Sequence, residues 1–401
     1  MKLVVISHKE CWADPTSSSK YSTIGGFPFQ MQAISELFDQ TTLLLPVFKS
    51  PLPSGTRPLA GRNLSVIPLS SPRGANLRRK VSLLLWLPHN LPKIWKKISE
   101  TDAVHALVPG DIGTIGIFVA VALRKPLFVR HCGTWNEPVT TADHFLIWLL
   151  ERIAGGCNVV MATGGGDNPP CKKNPNIDWI FSTTLSENEI SSILVRQPWQ
   201  RGKPLRLVTV GRATFGKNIS SIIQAIPLLK KCYSWVLLDI VGDGPYLNDL
   251  KKLAEKLDVT KIIRFHGNIP HEQVIKILAE SHLFVFPTRV KEGFPKAVLE
   301  ALVCGLPVIG TGVSVIPHLI GNRNGIVLYK TDPETVAKGI LEFIADDQRF
   351  AEASFTARQT GKEYTLERWQ QVIGERLQAS WGPLRKEPVS PQHLVTIGND
   401  A

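Results

Sequence analysis

Residues 291–310 read KEGFPKAVLEALVCGLPVIG, and this stretch decides the fold. Pro295 fits the first turn of a helix, where its missing N–H group costs nothing. Gly305 is a typical residue at a helix end. The apolar run 307–310 that follows is typical of a short buried strand. The stretch therefore predicts a loop, then a helix, then a strand, which is the repeating unit of an α/β sheet.

Two acidic side chains frame this predicted helix. Glu292 lies just before its first turn, and Glu300 lies on its second turn. The unpaired N–H groups at a helix N-terminus attract phosphate and sugar oxygens, and carboxylates accept hydrogen bonds from sugar hydroxyls. The segment therefore predicts a site for a phosphorylated sugar. Taken alone, the acidic pair is also compatible with two solvated acids on an amphipathic helix.

The alternation of short apolar runs and helical stretches extends over residues 205–345. The predicted strands are 205–210, 235–241, 262–266, 283–286, 307–310 and 325–328. The predicted helices between and after them are 218–231, 245–257, 270–280, 295–304 and 332–345. Such alternation predicts a parallel, doubly wound sheet, in which ligands bind at the C-terminal ends of the strands.

Residues 1–200 show the same alternation less regularly, so we expect two α/β domains. The strands predicted here are 3–7, 42–48, 64–69, 103–107, 127–131 and 159–162. The predicted helices are 27–38, 77–87, 112–123, 141–154 and 186–193. The stretch 197–204 contains two prolines and is predicted to link the domains.

Composition limits the class of protein. The 401 residues are enough for two hydrophobic cores, and the hydrophobic fraction of 43% is ordinary for a globular protein. The net charge of +12 is spread over both halves, so we expect no nucleic-acid partner. The first apolar run is too short for a signal peptide, and no run is long enough to cross a bilayer. We therefore expect a cytoplasmic protein.

Residues 77–100 concentrate positive charge around the apolar run 83–87, against the single acid Glu100. The basic residues are Arg78, Arg79, Lys80, Lys93, Lys96 and Lys97. Such a segment predicts peripheral contact with the anionic inner face of a membrane, and a solvated helix beside an acceptor site is the alternative. Pro88 and Pro92 predict that the segment is not one continuous helix.

A second chemical signal is VGRATFGKN at residues 210–218, between a predicted strand and a predicted helix. Arg212 can hold two phosphate oxygens, and Lys217 adds a point charge. Cations so placed can neutralise a diphosphate leaving group as a glycosidic bond breaks. The alternative is a capping turn with two cations that face solvent.

The segments 292–305 and 210–218 resemble the donor-binding motifs of retaining glycosyltransferases of family 4, the glycosyl transferases group 1. The resemblance is close over 205–345 and covers 1–200 only in outline. It implies the GT-B fold, with two Rossmann-like doubly wound domains facing a central cleft. It also implies retaining transfer of a hexosyl unit from a nucleoside diphosphate sugar to a glycan or lipid-linked glycan, as in polysaccharide biosynthesis.

The resemblance implies four segments along the chain. Residues 1–197 would bind the acceptor, and residues 205–365 would bind the nucleotide sugar. A helix at 366–382 would return to the first domain. Residues 383–401 are predicted to be a disordered tail because they are mostly polar.

The resemblance also assigns roles to charged residues of this chain. Arg212 and Lys217 would hold the diphosphate, and Glu300 would accept hydrogen bonds from the ribose hydroxyls. Glu292 would accept from the sugar hydroxyls and is expected to be catalytic. Two cations at the phosphates can take the place of a metal, so neither a metal nor another cofactor is expected.

Glycine-rich turns and the start of the helix complete the implied donor site. Its further residues are Gly25, Gly26, Gly242, Gly267, Asn268, Gly293, Phe294 and Pro295. Glycines allow the backbone to approach a phosphate closely. His131, at a predicted strand end, is the candidate catalytic histidine. His105 is the alternative, and a structural role is the competing interpretation for either.

Two other functions stay open at this stage. One is a GT-B enzyme of another reaction, such as a sugar-nucleotide epimerase or a phosphorylase. The other is a non-catalytic interaction protein that has kept the fold. An NAD oxidoreductase is disfavoured, because the turn 241–245 does not continue as the glycine fingerprint of a dinucleotide site.

Overall fold

The computed structural model describes residues 1–72, 74, 76–135, 137–194, 197–233, 235–321 and 323–386, without the side chains of residues 76, 77 and 80. Most of the predicted tail, from residue 387 onward, lies outside the described residues. The chain divides into two compact units. The first comprises Met1–Thr184 and the residues from Leu366 onward, and the second is Leu185–Thr365.

The first unit builds a mixed sheet with helices on both faces. Its elements before residue 184 are β1 (Lys2–Ile6), β2 (Cys11–Ala13), β3 (Tyr21–Ile24), α1 (Phe27–Glu36), β4 (Gln40–Phe48), β5 (Thr56–Pro58), β6 (Leu64–Leu69), α2 (Asn76–Ser99), β7 (Ala103–Val108), α3 (Asp111–Ala122), β8 (Leu127–His131), α4 (Thr141–Ile153), β9 (Asn158–Thr163) and β10 (Ile177–Ile180). The strands β10, β9, β8, β7, β1 and β4 lie side by side in that order, and all are parallel.

The second unit has a more regular order of strand and helix. Its elements are α5 (Glu187–Ser192), β11 (Leu205–Val210), α6 (Ile219–Cys232), β12 (Val236–Val241), α7 (Leu247–Lys256), β13 (Ile263–Gly267), α8 (His271–Ala279), β14 (Leu283–Phe286), α9 (Lys296–Val303), β15 (Val308–Thr311), α10 (Ile316–Ile320), β16 (Gly325–Leu328), α11 (Pro333–Phe343) and α12 (Asp347–Lys362). The last helix of the chain, α13 (Leu366–Trp381), belongs to the first unit.

The order of strands in the second sheet defines where a ligand can bind. The order is β13-β12-β11-β14-β15-β16, and all neighbours are parallel. The chain therefore runs outward from β11 to one edge and then returns to build the other half from β14. The carboxyl ends of β11 and β14 face the crevice that such a reversal opens. This is the parallel, doubly wound architecture that the sequence predicts.

The division between the units falls earlier than the predicted linker at 197–204. Helix α5 was expected in the first domain but lies in the second unit. Its Ile190 is buried, and the Ile190 carbonyl accepts a hydrogen bond of 2.5 Å from the guanidinium of Arg358 in α12. This contact fixes α5 to the second unit.

Helix α2 corrects one prediction. It runs unbroken from Asn76 to Ser99 with Pro88 and Pro92 inside it. Trp86, Asn90 and Ile94 follow one another at four-residue intervals and are all buried. The Asn90 amide donates to the Trp86 carbonyl and to the Ser70 hydroxyl, at 2.9 and 2.7 Å. Packing of this face against the sheet thus outweighs the loss of two backbone hydrogen bonds.

Helices α2, α3 and α4 share one face of the first sheet, and α1 and α13 share the other. Val4 belongs to the core under α2–α4, whereas its neighbours Leu3 and Val5 belong to the core under α1 and α13. This follows from the alternation of side chains along a strand. None of the helices within the described ranges has both the length and the apolar character needed to cross a membrane.

Candidate functional site

Two of the predicted donor-site residues meet at the reversal point of the second sheet. Lys217 lies in the turn after β11, in a 3₁₀ turn at Phe215–Lys217, and Glu292 lies in the loop after β14. The Lys217 ammonium forms an ion pair and hydrogen bond with the Glu292 carboxylate. Their side chains are 17% and 27% exposed, so the pair is screened from bulk solvent on most sides yet accessible to a ligand.

The two loops that carry this pair are fastened to each other. The backbone N–H of Arg289 donates to the Gly216 carbonyl at 2.8 Å. A Cβ atom on Gly216 would lie 2.3 Å from the Val290 side chain, so only glycine allows this approach without a shift. The position of Lys217 relative to Glu292 is therefore set by backbone contacts and not by the ion pair alone.

The surroundings of Lys217 determine its protonation. Its ammonium lies 4.9 Å from the centre of the Phe286 ring, which favours the cation through the ring quadrupole. Burial lowers the pKa of Lys217 to about 8. The adjacent Glu292 carboxylate favours the charged form. Lys217 is thus a cation at neutral pH and a ready partner for a phosphate.

Glycines bring the ends of three neighbouring strands together beside this pair. A Cβ atom on Gly242, whose φ is +126°, would lie 2.0 Å from the Gly211 carbonyl oxygen. The Gly242 N–H donates to the Gly267 carbonyl at 2.8 Å. Gly267 also has a positive φ, and Asn268 after it is exposed. The turns after β11, β12 and β13 therefore form one continuous backbone surface.

The predicted helix after Glu292 is α9, and it begins at Lys296 with Pro295 as its N-cap. No side-chain hydrogen bond caps α9, and the N-terminus of a helix attracts anions. Phe294 and Pro295 are buried and Gly293 is half-buried. The Ser314 hydroxyl donates to the backbone carbonyl of Glu292, which steadies the loop from outside.

Glu300 lies on the second turn of α9, as predicted, and its side chain is 12% exposed. Its carboxylate is 3.1 Å from Nε2 of His271, the first residue of α8. Sequence reasoning placed the loop before His271 at the site but missed the histidine itself. The signal was its position directly after that loop, at the start of a helix.

Arg212, the other predicted phosphate ligand, lies directly after β11 and is exposed. Its guanidinium has no hydrogen-bond or ion-pair partner among the residues that the structure describes. The structure therefore brings Lys217 and Glu292 together but does not join Arg212 to them. An exposed guanidinium on this turn can still approach a ligand held by Lys217.

Gly25 and Gly26 lie in the first unit, between β3 and α1. Gly25 has a φ of +78°, a conformation that glycine adopts at little cost. Gly26 is the N-cap of α1, and no side chain caps that helix. No side chain therefore caps the start of α1, and backbone N–H groups at a helix N-terminus can bind an anion.

His131 ends β8 and is buried, with its ring edge-on to Trp135 at 5.2 Å. Burial lowers the pKa of His131 to about 4, so the ring is neutral at neutral pH. Its Nδ1 atom is buried without a partner in the described part of the chain.

His105, the alternative candidate, is fully buried, stacks on Phe128 and has its Nδ1 3.1 Å from the Phe128 carbonyl. His105 is therefore a core residue.

No three His, Cys, Asp or Glu side chains stand close enough together to hold a metal ion within the described ranges.

Comparison with known proteins identifies a family for the second unit. The sequence profile of the family described as "Glycosyl transferases group 1" matches residues 194–360, which form most of the second unit. The second unit therefore matches this family, and the resemblance stated from the motifs is confirmed.

Two curated relatives illustrate the similarity. A "GDP-mannose-dependent alpha-(1-6)-phosphatidylinositol monomannoside mannosyltransferase" of Mycolicibacterium smegmatis is 28% identical over 295 residues, which cover 67% of this chain and 75% of the relative. A "GDP-mannose-dependent monoacylated alpha-(1-6)-phosphatidylinositol monomannoside mannosyltransferase" of Corynebacterium glutamicum is 29% identical over 168 residues, or 40% of this chain. That second match spans only 42% of the corynebacterial protein.

Solved structures share the fold at lower identity. Anabaena Alr3699/HepE in complex with UDP-glucose superimposes with a TM-score of 0.65 at 15% identity, over 94% of this chain and 100% of that chain. WaaG, a glycosyltransferase involved in lipopolysaccharide biosynthesis, gives a TM-score of 0.59 at 14% identity, over 94% and 99%. The chain therefore has the GT-B fold, with two Rossmann-like domains, as predicted.

Proposed function

We propose that this protein is a group 1 glycosyltransferase that transfers a hexosyl unit from a nucleoside diphosphate sugar to a glycan or lipid-linked glycan, with retention of anomeric configuration. The observation that carries the proposal is the Lys217–Glu292 pair at the reversal point of the second sheet. A half-buried cation supplies charge for a diphosphate. A carboxylate beside it supplies an acceptor for sugar hydroxyls.

Each neighbouring group has a place in the proposed donor complex. Lys217 and Arg212 hold the diphosphate, and Glu292 accepts from the sugar hydroxyls. Backbone N–H groups of Gly293, Phe294 and the residue after Pro295 orient the sugar. Glu300 accepts from the ribose hydroxyls once the ribose displaces His271.

Two glycine turns of the second unit and two features of the first unit complete the proposal. The turns at Gly242 and at Gly267-Asn268 bound the nucleoside. The turn at Gly25-Gly26 offers N–H groups to the diphosphate, and His131 acts at the reacting sugar. Because its ring is neutral, His131 can accept or donate one hydrogen bond without bringing charge.

The comparisons support a nucleotide sugar as donor without selecting its base. The names of both curated relatives specify GDP-mannose, whereas HepE was crystallised with UDP-glucose. Both curated relatives are named for action on phosphatidylinositol monomannosides, which supports a lipid-linked acceptor. A lipid-linked acceptor requires access to a membrane surface, and the basic helix α2 is the proposed contact.

Donor turnover with methanol as the acceptor tests the reaction. The protein is incubated with GDP-mannose, UDP-glucose or UDP-N-acetylglucosamine, and free nucleoside diphosphate and methyl glycoside are measured by NMR. One α-linked donor should yield nucleoside diphosphate and the α-methyl glycoside, and Lys217→Ala and Glu292→Ala should abolish both. A β-methyl glycoside would contradict retention. Absence of nucleoside diphosphate with every donor would contradict the transferase proposal.

A further inference from the structure

Three helices of the first unit expose large apolar side chains on one layer. Helix α2 connects β6 to β7, α3 connects β7 to β8, and α4 connects β8 to β9. All three pack on the same core, so they lie side by side on one face of the sheet. A residue on the outer side of one helix is therefore near the outer side of the next.

The centre of this layer is an aromatic ridge formed by Phe118 of α3 with Phe145 and Trp148 of α4. The Phe118 and Phe145 rings are 6.5 Å apart, and the Phe145 and Trp148 rings are 5.6 Å apart. The three residues are 48%, 49% and 46% exposed. Val121, one turn after Phe118, is 45% exposed and extends the ridge along α3. A contiguous exposed aromatic surface of this kind marks an interaction site.

Helix α2 continues the apolar surface beside the ridge. Leu84 and Leu85 are 73% and 79% exposed, and Val81 and Trp95 are also exposed. These side chains lie outward from the buried residues of the same helix. The sequence Leu83–Leu87 that predicted a membrane contact therefore presents two of its leucines to solvent.

The charges around this surface are mostly positive. The acids of α4 have partners of their own, because Asp143 accepts a hydrogen bond from Thr140 and Glu151 pairs with Lys173. Helix α2 contains six basic residues and no acidic one. Lys93 and Lys96 are exposed, and the Arg152 guanidinium lies 4.6 Å from the centre of the Trp148 ring. Asp111, the acid in the first turn of α3, is already bonded to Arg79 of α2. Two copies of this face would repel each other, whereas an anionic surface would be attracted.

We propose that the aromatic ridge and the apolar side of α2 form one surface that inserts into the headgroup region of an anionic lipid bilayer. The rings and leucines enter the apolar boundary, and the lysines and arginines contact lipid phosphates. The inference rests on the proposed lipid-linked acceptor. It extends that proposal because it identifies a lipid bilayer as the partner of the first unit and adds α3 and α4 to the contact proposed for α2.

Vesicle flotation tests this surface. Vesicles of phosphatidylcholine alone and of phosphatidylcholine with phosphatidylglycerol are mixed with the full chain at low and high salt. The wild type should float with the anionic vesicles at low salt and be released by salt. The variant Phe118→Ser/Phe145→Ser/Trp148→Ser should bind roughly tenfold or more weakly. Lys93→Glu/Lys96→Glu should also bind less.

A matched control removes exposed aromatic residues from the second unit. Trp235 and Phe355 are 63% and 66% exposed, and Trp235→Ser/Phe355→Ser should float like the wild type. Wild type that ignores anionic vesicles, or a ridge variant that floats equally well, would overturn the proposal. A concentration-dependent dimer in light scattering that the ridge variant loses would assign the surface to a second copy instead.

The melting temperature with GDP-mannose or UDP-glucose separates this inference from the proposed function. The ridge variant should keep the donor-induced rise in melting temperature, which also shows that it is folded. Donor stabilisation without vesicle binding would overturn only the membrane surface. Vesicle binding without any donor stabilisation or turnover would overturn only the proposed reaction.

Discussion

Lys217 and Glu292 neutralise each other in the absence of a ligand, and a diphosphate offers Lys217 a second anionic partner. In the proposed donor complex, this second partner leaves the Glu292 carboxylate free to accept hydrogen bonds from sugar hydroxyls. The pair thus keeps both groups charged and correctly placed before the donor arrives. This preorganisation reduces the cost of ordering them when the donor binds.

The protonation of Lys217 predicts how donor binding depends on pH. Burial lowers the pKa of Lys217 to about 8, and only the ammonium attracts a diphosphate. Affinity for a nucleoside diphosphate should therefore hold below pH 8 and fall by roughly tenfold per pH unit above it. Titration calorimetry from about pH 7 to about pH 9.5 measures this, and Lys217→Arg, with a far higher pKa, should lose the dependence. An unchanged profile in Lys217→Arg would mean that another group titrates.

The contact between Gly242 and Gly211 predicts a large effect of a single methyl group. In Gly242→Ala the new Cβ would meet the Gly211 carbonyl oxygen at 2.0 Å, in a backbone conformation that alanine rarely adopts. We expect a loss of about 3 kcal/mol of stability together with weaker donor binding. Gly267→Ala, where the Cβ meets nothing within 4 Å, should lose about 1 kcal/mol from its backbone alone. Urea denaturation of both variants makes the comparison, and equal losses would contradict the close-contact argument.

At the residue scale, motifs identified Lys217 and Glu292 separately. Lys217 was identified from its place between a strand and a helix, and Glu292 from its place just before a helix. Their contact depends on β11 and β14 being neighbours, although 72 residues separate the two strands in the chain. The spacing of residues in the sequence does not predict which strands are neighbours in the sheet. His271 and Ser314 were missed for the same reason, because each acts on a residue that is distant in the sequence.

The regular elements of the second unit follow closely from local pattern. The predicted strands 205–210, 283–286 and 325–328 have the observed bounds, because each is a continuous apolar run between turn residues. Four strands of the first unit were missed, namely β2, β3, β5 and β10. They are three or four residues long and owe their pairing to neighbours in the sheet, which no local pattern records.

Helix α2 shows the opposite failure, in which a strong local rule was overridden. Two prolines predict a break, yet buried Trp86 and Ile94 lie on either side of them on the same helical face. Burial of that face against the sheet provides the free energy that keeps the helix continuous. A rule that considers one residue at a time cannot predict the effect of such tertiary packing.

The N-cap of α12 gives a test at the scale of the element. The Asp346 carboxylate accepts hydrogen bonds of 3.0 Å from the N–H groups of both Gln348 and Arg349. Asp346→Ala should therefore destabilise the second unit by about 1 kcal/mol, as measured by its urea midpoint. Asp346→Asn keeps an acceptor and should lose less. Gln359→Ala, exposed on the same helix, should change stability by less than about 0.5 kcal/mol.

At the scale of the whole molecule, the alternating pattern predicted doubly wound sheets, and the strand order explains why the site lies where it does. The reversal between β11 and β14 opens a crevice at their carboxyl ends, and the loops carrying Lys217 and Glu292 both begin there. The pattern could indicate that a reversal exists, but only the structure shows which two strands flank it. The unit boundary at Leu185 could likewise not be predicted from local sequence. Helix α5 is held in the second unit by a hydrogen bond from Arg358, which is far from it in the sequence.

The central claim is that the Lys217–Glu292 pair is the donor site of a glycosyltransferase, and a thermal-shift screen tests it most directly. Wild type, Lys217→Ala, Glu292→Ala and the surface control Lys252→Ala are melted with UDP-, GDP- and ADP-sugars. A ligand that binds only the folded state at 100 times its Kd stabilises by about 2.7 kcal/mol. The account predicts that one nucleotide class raises the melting temperature of wild type and of Lys252→Ala, and does so much less in the two site variants. No rise with any donor, or an equal rise in all four proteins, would contradict it.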